Sequence, residues 1–244
     1  MKYIVLGLVQ GLTEFLPVSS SGHLVIFQKL FGLQNSIAFD ITVHLATLLA
    51  VVAYFWSDIW GLLKKPRLIG LLLLSTAITG VIGVALSDQF ESLFSSTKAV
   101  GGFLLLTAAV LWAAEAFPKG KKDEGKMTWW DSIIIGLGQA AAICPGLSRS
   151  GTTVSTGLMR GLDRELAARY SFLLSIPTIL AAGLFEMKKI TAVENYWPLF
   201  LGAAAAFISG YFAIGLFMGI IQKYSLRPFA YYCLAIGLLV LVLL

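Results

Sequence analysis

A polar stretch, Gln10-Gly11-Leu12-Thr13-Glu14-Phe15-Leu16-Pro17-Val18-Ser19-Ser20-Ser21-Gly22-His23, interrupts a sequence that is otherwise apolar. Apolar segments flank it at residues 3–9 and 24–31. A carboxylate, three serines and an imidazole are costly to place together at the depth of a lipid bilayer, where such side chains normally face a cavity and mark a function. The stretch therefore predicts a functional cavity inside a membrane protein.

The composition indicates a polytopic membrane protein. Of the 244 residues, 58% are hydrophobic and 13% are charged, whereas about 25% are charged in a typical soluble domain. The mean hydropathy is +0.85. The net charge of +5 is typical of integral membrane proteins, which collect Lys and Arg in cytoplasmic loops, so no nucleic-acid partner is expected. We expect no cleavable signal peptide, and Cys144 and Cys233 indicate neither a structural disulfide nor a metal site.

The polar stretch predicts a re-entrant hairpin at residues 3–32. The first apolar segment, 3–16, is too short to cross a bilayer, because a span needs about 20 residues. Pro17 cannot continue a helix, and the serines that follow offer a cap for a second short helix over about 23–32. The irregular backbone between the two helices is tolerable only if it is buried in protein or lines water.

Two halves of the chain share one layout. The first repeat, 1–118, continues after its hairpin with predicted spans at 37–57, 68–87 and 98–117. A hydrophilic cytoplasmic linker, 119–128, separates it from the second repeat, 129–244. That repeat has a predicted hairpin at 129–160, which breaks at Pro145-Gly146, and predicted spans at 166–185, 197–221 and 227–244.

Local sequence matches and the odd number of membrane crossings in each half predict how the two halves are related. Ile135-Gly136-Leu137-Gly138-Gln139 resembles Leu6-Gly7-Leu8-Val9-Gln10, and Ser148-Arg149-Ser150-Gly151 resembles Ser19-Ser20-Ser21-Gly22, both at an offset of 129. A hairpin returns to its own side, so each half crosses the membrane three times. We therefore predict an all-α polytopic membrane protein with an inverted-topology repeat, whose two polar loops meet near the middle of the bilayer.

The distribution of Lys and Arg predicts the orientation. The face that holds the linker carries twelve such residues: Lys64, Lys65, Arg67, Lys119, Lys121, Lys122, Lys126, Arg160, Arg164, Arg169, Lys223 and Arg227. The opposite face carries five: Lys2, Lys29, Lys98, Lys188 and Lys189. The linker is therefore expected in the cytoplasm, with both termini and the active site facing outside.

Gln10 and Glu14 are four residues apart and share one face of a helix. A carboxylate beside an amide oxygen suits a hard cation such as Mg²⁺ or Ca²⁺. The alternative is a buried Glu14 that is hydrogen-bonded within its own loop, and the spacing alone favours neither.

The hydroxyls and the imidazole of the first loop also have two interpretations. Ser19, Ser20 and Ser21 can cap the second half-helix, which is the favoured role for most of them, and a helix N-terminus with hydroxyls also binds anions. His23 can act as a base, an acid or a nucleophile, or it can be a satisfied structural residue. Its place in one membrane-depth loop with Glu14 favours the functional interpretation.

The second loop predicts an anion site. Arg149 lies at a helix start inside a predicted membrane hairpin, so its guanidinium needs an anion, either Glu14 or a phosphate. Phosphate is the better chemical match, with Ser148, Ser150 and Thr153 as further donors.

Two further sets of residues are predicted to have structural roles rather than roles in the site. Asp40 and His44 are expected to pack in the core or to form a hydrogen-bonded pair. Several tryptophans near predicted span ends form the aromatic belt of a membrane protein, namely Trp56, Trp60, Trp129, Trp130 and Trp197.

With both stretches in view, the chain resembles the bacterial undecaprenyl-diphosphate phosphatase family of the bacitracin-resistance type. The family pattern is [EQ]-x-x-x-E running into Pro-x-Ser-Ser-x-Gly-His, followed by Pro-Gly-x-Ser-Arg-Ser-x-x-Thr. In this chain the pattern spans Gln10 to Glu14, Pro17 to His23, and Pro145 to Thr153. The first position is Gln rather than Glu, which leaves one carboxylate in the pair.

The resemblance implies hydrolysis of undecaprenyl diphosphate in the bacterial plasma membrane, with a divalent cation, to recycle the lipid carrier of cell-wall synthesis. It implies that Glu14 and Gln10 hold the metal or transfer protons, that Ser20 and His23 are the nucleophile and its partner in either order, and that Arg149 clamps the diphosphate with Ser148 and Thr153. Attack by a metal-activated water remains an alternative.

Two other functions fit the predicted architecture. Inverted repeats with broken helices are also typical of secondary transporters or lipid flippases, and a structural membrane subunit would use the same polar residues for folding. The substrate implied is a polyprenyl diphosphate lipid within membrane lipid, and a homodimer is an open alternative to a monomer.

Overall fold

The computed structural model describes residues 1–33, 36–190 and 195–244. The side chain of Lys189, which the charge count above uses, lies outside the described part. The described residues form twelve α-helices. They are α1 (Lys2–Phe15), α2 (Ser20–Leu30), α3 (Ile37–Tyr54), α4 (Trp56–Leu62), α5 (Pro66–Ala85), α6 (Ser87–Phe94), α7 (Thr97–Ala116), α8 (Trp129–Ala141), α9 (Arg149–Met159), α10 (Arg164–Glu186), α11 (Tyr196–Lys223) and α12 (Arg227–Leu243).

The break after α1 follows from Pro17. Leu16 is extended, with φ −71° and ψ 144°, because the ring of the following proline disfavours the helical region for the residue before it. Ser19 then adopts φ 70°, and its Oγ accepts a hydrogen bond from the backbone N–H of Gly22 at 3.3 Å. The helix α2 therefore begins at Ser20, three residues before the predicted start.

The break between α8 and α9 is built in a similar way. Ser148 caps α9, and its Oγ accepts from the N–H of Gly151 at 3.0 Å. Gly146 has φ 102°, and a Cβ there would lie 2.4 Å from the carbonyl oxygen of Val100. Only glycine fits this turn, because the backbone is left-handed and the neighbouring helix α7 is too close. A Ser-x-x-Gly cap thus starts both α2 and α9.

Within the described residues, five helices are long and apolar enough to cross a membrane: α3, α5, α7, α10 and α11. The predicted sixth span corresponds to α12, which is apolar but has 17 residues. Two short helices that the sequence did not predict, α4 and α6, follow α3 and α5. The described residues are thus those of an all-helical, multi-pass membrane protein.

The half-length helices approach long helices closely. A Cβ on Gly7 of α1 would lie 2.2 Å from the carbonyl oxygen of Gly202 in α11. A Cβ on Gly136 of α8 would lie 2.9 Å from the Cα of Ser75 in α5. Gly7 and Gly136 are separated by the same offset of 129 residues that relates the two loops, so each half seats its first short helix through an equivalent glycine.

Asp131 anchors the end of the molecule that carries the linker. Its carboxylate has no exposed surface and accepts from Lys122 at 3.2 Å and from Arg160 at 2.8 Å. Lys122 belongs to the linker, and Arg160 follows α9 directly. The ion pairs therefore hold the linker and the residue that follows α9 against the start of α8, away from Glu14.

Candidate active site

The two loops meet directly. Ser150 Oγ donates to the carbonyl oxygen of Leu16 at 3.1 Å. A Cβ on Gly151 would lie 3.2 Å from the Cβ of Pro17. These contacts place the C-terminal end of α1 beside the N-terminal end of α9, which brings Glu14 and Arg149 together.

Glu14 and Arg149 form an ion pair between the loops. Arg149 Nη2 donates to Glu14 Oε1 at 2.6 Å, and the two side chains are 15% and 5% exposed. Of the two anions considered from the sequence, the structure pairs Arg149 with Glu14. Its role as a phosphate clamp stays a prediction.

The other carboxylate oxygen of Glu14 binds the first loop. Ser20 Oγ donates to Glu14 Oε2 at 2.5 Å, and Gln10 Nε2 donates to the same oxygen at 3.0 Å. Glu14 is therefore the centre of the cluster and the group placed to accept the Ser20 proton. A serine hydroxyl bound to a base is the arrangement of an activated nucleophile.

His23 lies outside this cluster. Its Nδ1 is 2.7 Å from the carbonyl oxygen of Ser19, and its Nε2 is 2.8 Å from the hydroxyl of Tyr232. Because a carbonyl oxygen only accepts hydrogen bonds, Nδ1 carries the hydrogen and Nε2 accepts from Tyr232. The structure thus gives Ser20 the partner Glu14 rather than His23, and a catalytic role for His23 stays a prediction.

Most of the remaining hydroxyls hold the loops in shape. Ser19 and Ser148 cap helices, as described above, and Ser150 bridges the loops. Ser21 Oγ is 3.4 Å from Ser19 Oγ, and Ser148 Oγ is 3.3 Å from Ser150 Oγ. Substrate binding by these four serines stays a prediction beside this structural role.

Thr153 and Ser171 position the arginine. Thr153 Oγ1 donates to the carbonyl oxygen of Arg149 at 2.8 Å and lies 2.6 Å from Ser171 Oγ. Arg149 Nη1 donates to the carbonyl oxygen of Ser171 at 3.4 Å. The long helix α10 therefore helps to hold the guanidinium in place through Ser171. Substrate binding by Thr153 stays a prediction.

The structure also brings in a residue that the sequence analysis assigned to packing. His44 Nε2 lies 3.8 Å from Glu14 Oε2, and its side chain is 31% exposed. Its Nδ1 is 2.7 Å from the backbone carbonyl of Asp40, whereas the Asp40 carboxylate accepts from Gln28. The two residues are therefore hydrogen-bonded through the backbone of Asp40 rather than between their side chains. The only signal in the sequence was the histidine itself, since the contact depends on how α3 packs beside α1.

The cluster offers oxygen donors of the kind that a hard cation prefers. Gln10 Oε1 is buried and finds no hydrogen-bond partner among the described residues, and it belongs to the same side chain that contacts Glu14. No group of three or more His, Cys, Asp and Glu side chains is arranged as a metal site in the described part of the chain. The residues fit a cation that takes part of its shell from the protein and part from substrate oxygens.

Comparison with known proteins decides the family. A family model described as bacitracin resistance protein BacA matches residues 3–239. The chain belongs to this family. The match contains both stretches of the site, from Gln10 to His23 and from Pro145 to Thr153.

Curated relatives match nearly the whole length of this chain. A protein of Carboxydothermus hydrogenoformans is 45% identical over 98% of this chain and 95% of its own. One of Halothermothrix orenii is 43% identical over 99% and 97%, and one of Methanosphaera stadtmanae is 41% identical over 100% and 97%. Each of the three relatives is named undecaprenyl-diphosphatase.

Proposed function

We propose that this protein is an integral membrane phosphatase that hydrolyses undecaprenyl diphosphate to undecaprenyl phosphate and inorganic phosphate, and so recycles a lipid carrier of cell-wall synthesis. The family and the names of the relatives support this reaction. The observation that carries it is the hydrogen bond of 2.5 Å between Ser20 Oγ and a carboxylate oxygen of Glu14, whose other oxygen pairs with Arg149. Nucleophile, base and anion-binding cation are thereby joined.

In the proposed reaction, Glu14 takes the proton of Ser20 as Oγ attacks the terminal phosphorus of the lipid diphosphate. The bond between that phosphorus and the bridging oxygen breaks, and undecaprenyl phosphate leaves with the proton that Glu14 took from Ser20. Water then attacks the phosphoserine, the ionised Glu14 accepts a proton from that water, and it passes this proton to the departing Ser20 oxygen, which regenerates the hydroxyl. Inorganic phosphate is released.

The main requirement of phosphoryl transfer is positioning and charge stabilisation. Arg149 meets this requirement with a planar guanidinium that suits phosphate oxygens. To do so, the guanidinium leaves the Glu14 carboxylate and binds the diphosphate of the substrate. Gln10 and Glu14 are the residues that would hold a divalent cation, which when bound neutralises charge on the diphosphate. The apolar tail lies between the long helices or in the bilayer.

The reaction is tested by phosphate release from detergent-solubilised undecaprenyl diphosphate, with and without EDTA. We expect release by the wild type that EDTA abolishes and added Mg²⁺ or Ca²⁺ restores. The alternative, a transporter or flippase for the same lipid, predicts movement of the lipid across reconstituted vesicles without release. Absence of release under metal-replete conditions would contradict the proposed enzyme.

Replacing Ser20 with alanine is expected to lower the rate of phosphate release by at least about 100-fold, because the attacking oxygen is lost. With substrate labelled at the terminal phosphate, the wild type should form acid-stable phosphoserine and Ser20→Ala should not. Ser132→Ala is the matched control, because this buried hydroxyl donates to the carbonyl oxygen of Leu71 outside the site, and its rate per folded molecule should remain within a few-fold of the wild type. Undiminished release by Ser20→Ala would favour direct attack by water.

We further infer that the two halves are inverted repeats, each with a re-entrant hairpin, and that the active site faces outside the plasma membrane. Three features support this: the Ser-x-x-Gly caps of α2 and α9, the equivalent glycines Gly7 and Gly136, and the loop contact between Leu16 and Ser150. The excess of Lys and Arg on the linker side supports a cytoplasmic linker.

The orientation predicts the outcome of cysteine labelling in intact cells. Lys121 and Lys98 are exposed and lie on opposite faces in the proposed topology. In a background without Cys144 and Cys233, a membrane-impermeant maleimide should label Lys98→Cys from outside, and Lys121→Cys only after permeabilisation. Efficient labelling of Lys121→Cys in intact cells would reverse the orientation.

A further inference from the structure

His44 places its Nε2 beside the cluster around Glu14. Its Nδ1 lies 2.7 Å from the backbone carbonyl oxygen of Asp40, and a carbonyl oxygen can only accept, so Nδ1 holds the hydrogen of the neutral ring. In that tautomer Nε2 carries the lone pair, and it lies 3.8 Å from Glu14 Oε2. This distance is too long for a hydrogen bond between them.

A metal-ligating histidine almost always donates its other ring N–H to a carbonyl or carboxylate, which fixes the tautomer and the direction of the free nitrogen. The bond from His44 to Asp40 is of this kind. The His44 side chain is 31% exposed, so the surrounding protein covers it only in part. By contrast, both nitrogens of His23, the other histidine of the chain, are used in hydrogen bonds.

A second donor atom lies in the same cluster. Gln10 Oε1 is buried without a hydrogen-bond partner among the residues that the structure describes, although the amide nitrogen of the same side chain binds Glu14 Oε2. An unpaired buried polar atom is costly, and a cation that also binds Glu14 would satisfy it. Gln10 of α1 and His44 of α3 thus both approach the same carboxylate oxygen of Glu14, at 3.0 and 3.8 Å.

We propose that His44 Nε2 is a ligand of the divalent cation of this site, together with Glu14 and Gln10. The proposal rests on the proposed function, which brings a cation to Glu14. It also changes the expected metal preference. Imidazole suits Mn²⁺, Co²⁺ or Zn²⁺ better than it suits Ca²⁺, which prefers oxygen ligands, so the site should favour Mn²⁺ over Ca²⁺ more strongly than a site made of oxygens alone.

The test uses Mn²⁺ bound to the full-length protein in detergent and electron spin echo envelope modulation, which detects an imidazole nitrogen bonded to the ion. The chain has two histidines, so the signal can be assigned. We expect imidazole modulation in the wild type and in His23→Gln, and its loss in His44→Gln. If His44→Gln does not fold, retention of the signal in His23→Gln still assigns the nitrogen to His44.

Binding of Mn²⁺ and Ca²⁺, measured by titration calorimetry, provides a second readout. His44→Gln should raise the Kd for Mn²⁺ at least about 10-fold and change the Kd for Ca²⁺ less. Absence of imidazole modulation in Mn²⁺-loaded wild type, its persistence in His44→Gln, or failure of the wild type to bind Mn²⁺ would each overturn the proposal. Phosphate release by the wild type, measured separately, shows whether the proposed function itself stands.

Discussion

Replacing Arg149 with alanine is expected to reduce the rate of phosphate release by at least about 100-fold, the loss typical of removing a preorganised charge-stabilising group. The guanidinium is mostly buried and sits at the start of α9, where it is held by α10 through Ser171. Water molecules would have to reorganise in order to replace this fixed, mostly buried cation. Steady-state release from undecaprenyl diphosphate measures the effect.

Arg149→Lys separates charge from shape. Lysine keeps the charge but loses the planar fork that binds two phosphate oxygens at once, so the variant should fall between the wild type and Arg149→Ala. Arg160→Ala is the matched control, because Arg160 pairs with Asp131 at the linker end and not with Glu14. Its rate per folded molecule should stay within a few-fold of the wild type. Full activity of Arg149→Ala would refute the phosphate clamp.

Replacing Glu14 with glutamine is expected to lower phosphate release by a comparable factor, at least about 100-fold. The change keeps the shape of the side chain but removes the base that accepts the Ser20 proton, as well as the anion that pairs with Arg149. It also leaves a buried arginine without its counter-charge, and removing one partner of a buried ion pair costs about 3–5 kcal/mol of stability. Thermal unfolding and phosphate release should therefore both change.

A double variant separates the two effects. Glu14→Gln combined with Arg149→Gln removes both charges, so it should be more stable than Glu14→Gln alone while it remains inactive. Asp131→Asn is the control for stability, because Asp131 is a fully buried carboxylate with basic partners outside the site. It should lower the melting temperature with little loss of rate per folded molecule. If Glu14 acted through stability alone, the rate per folded molecule of Glu14→Gln would instead match that of the wild type.

The helices were largely predictable because their signals are local. Pro17 ends α1, serines followed by glycine start α2 and α9, and apolar runs mark α3, α5, α7, α10 and α11. Boundaries moved by a few residues, as at Ser20, because the capping serine lies earlier than the apolar pattern suggests. The short helices α4 and α6 escaped prediction because segments of 7 and 8 residues are too short to show a clear helical period of their own.

The residues of the candidate site could be selected from the sequence, whereas the hydrogen-bond partner of each residue could not. Glu14, Ser20 and Arg149 stood out because ionisable and hydroxyl groups are rare in an apolar chain. The bond from Ser20 to Glu14, the engagement of His23 by Tyr232 and the approach of His44 were not visible. Tyr232 lies 209 residues from His23, and no local pattern connects positions so far apart.

The sequence by itself determined that this is a helical membrane protein with a polar interruption in each half, and it predicted that the interruption from Gln10 to His23 carries the chemistry. Only the tertiary structure decided that Glu14 lies between Ser20 and Arg149, which is 135 residues away along the chain, and that His44 approaches the same carboxylate. The physical reason is that apolar periodicity, prolines and caps act within a few residues. Pairing in the site instead depends on how closely glycine-lined helices such as α1 and α11 pack.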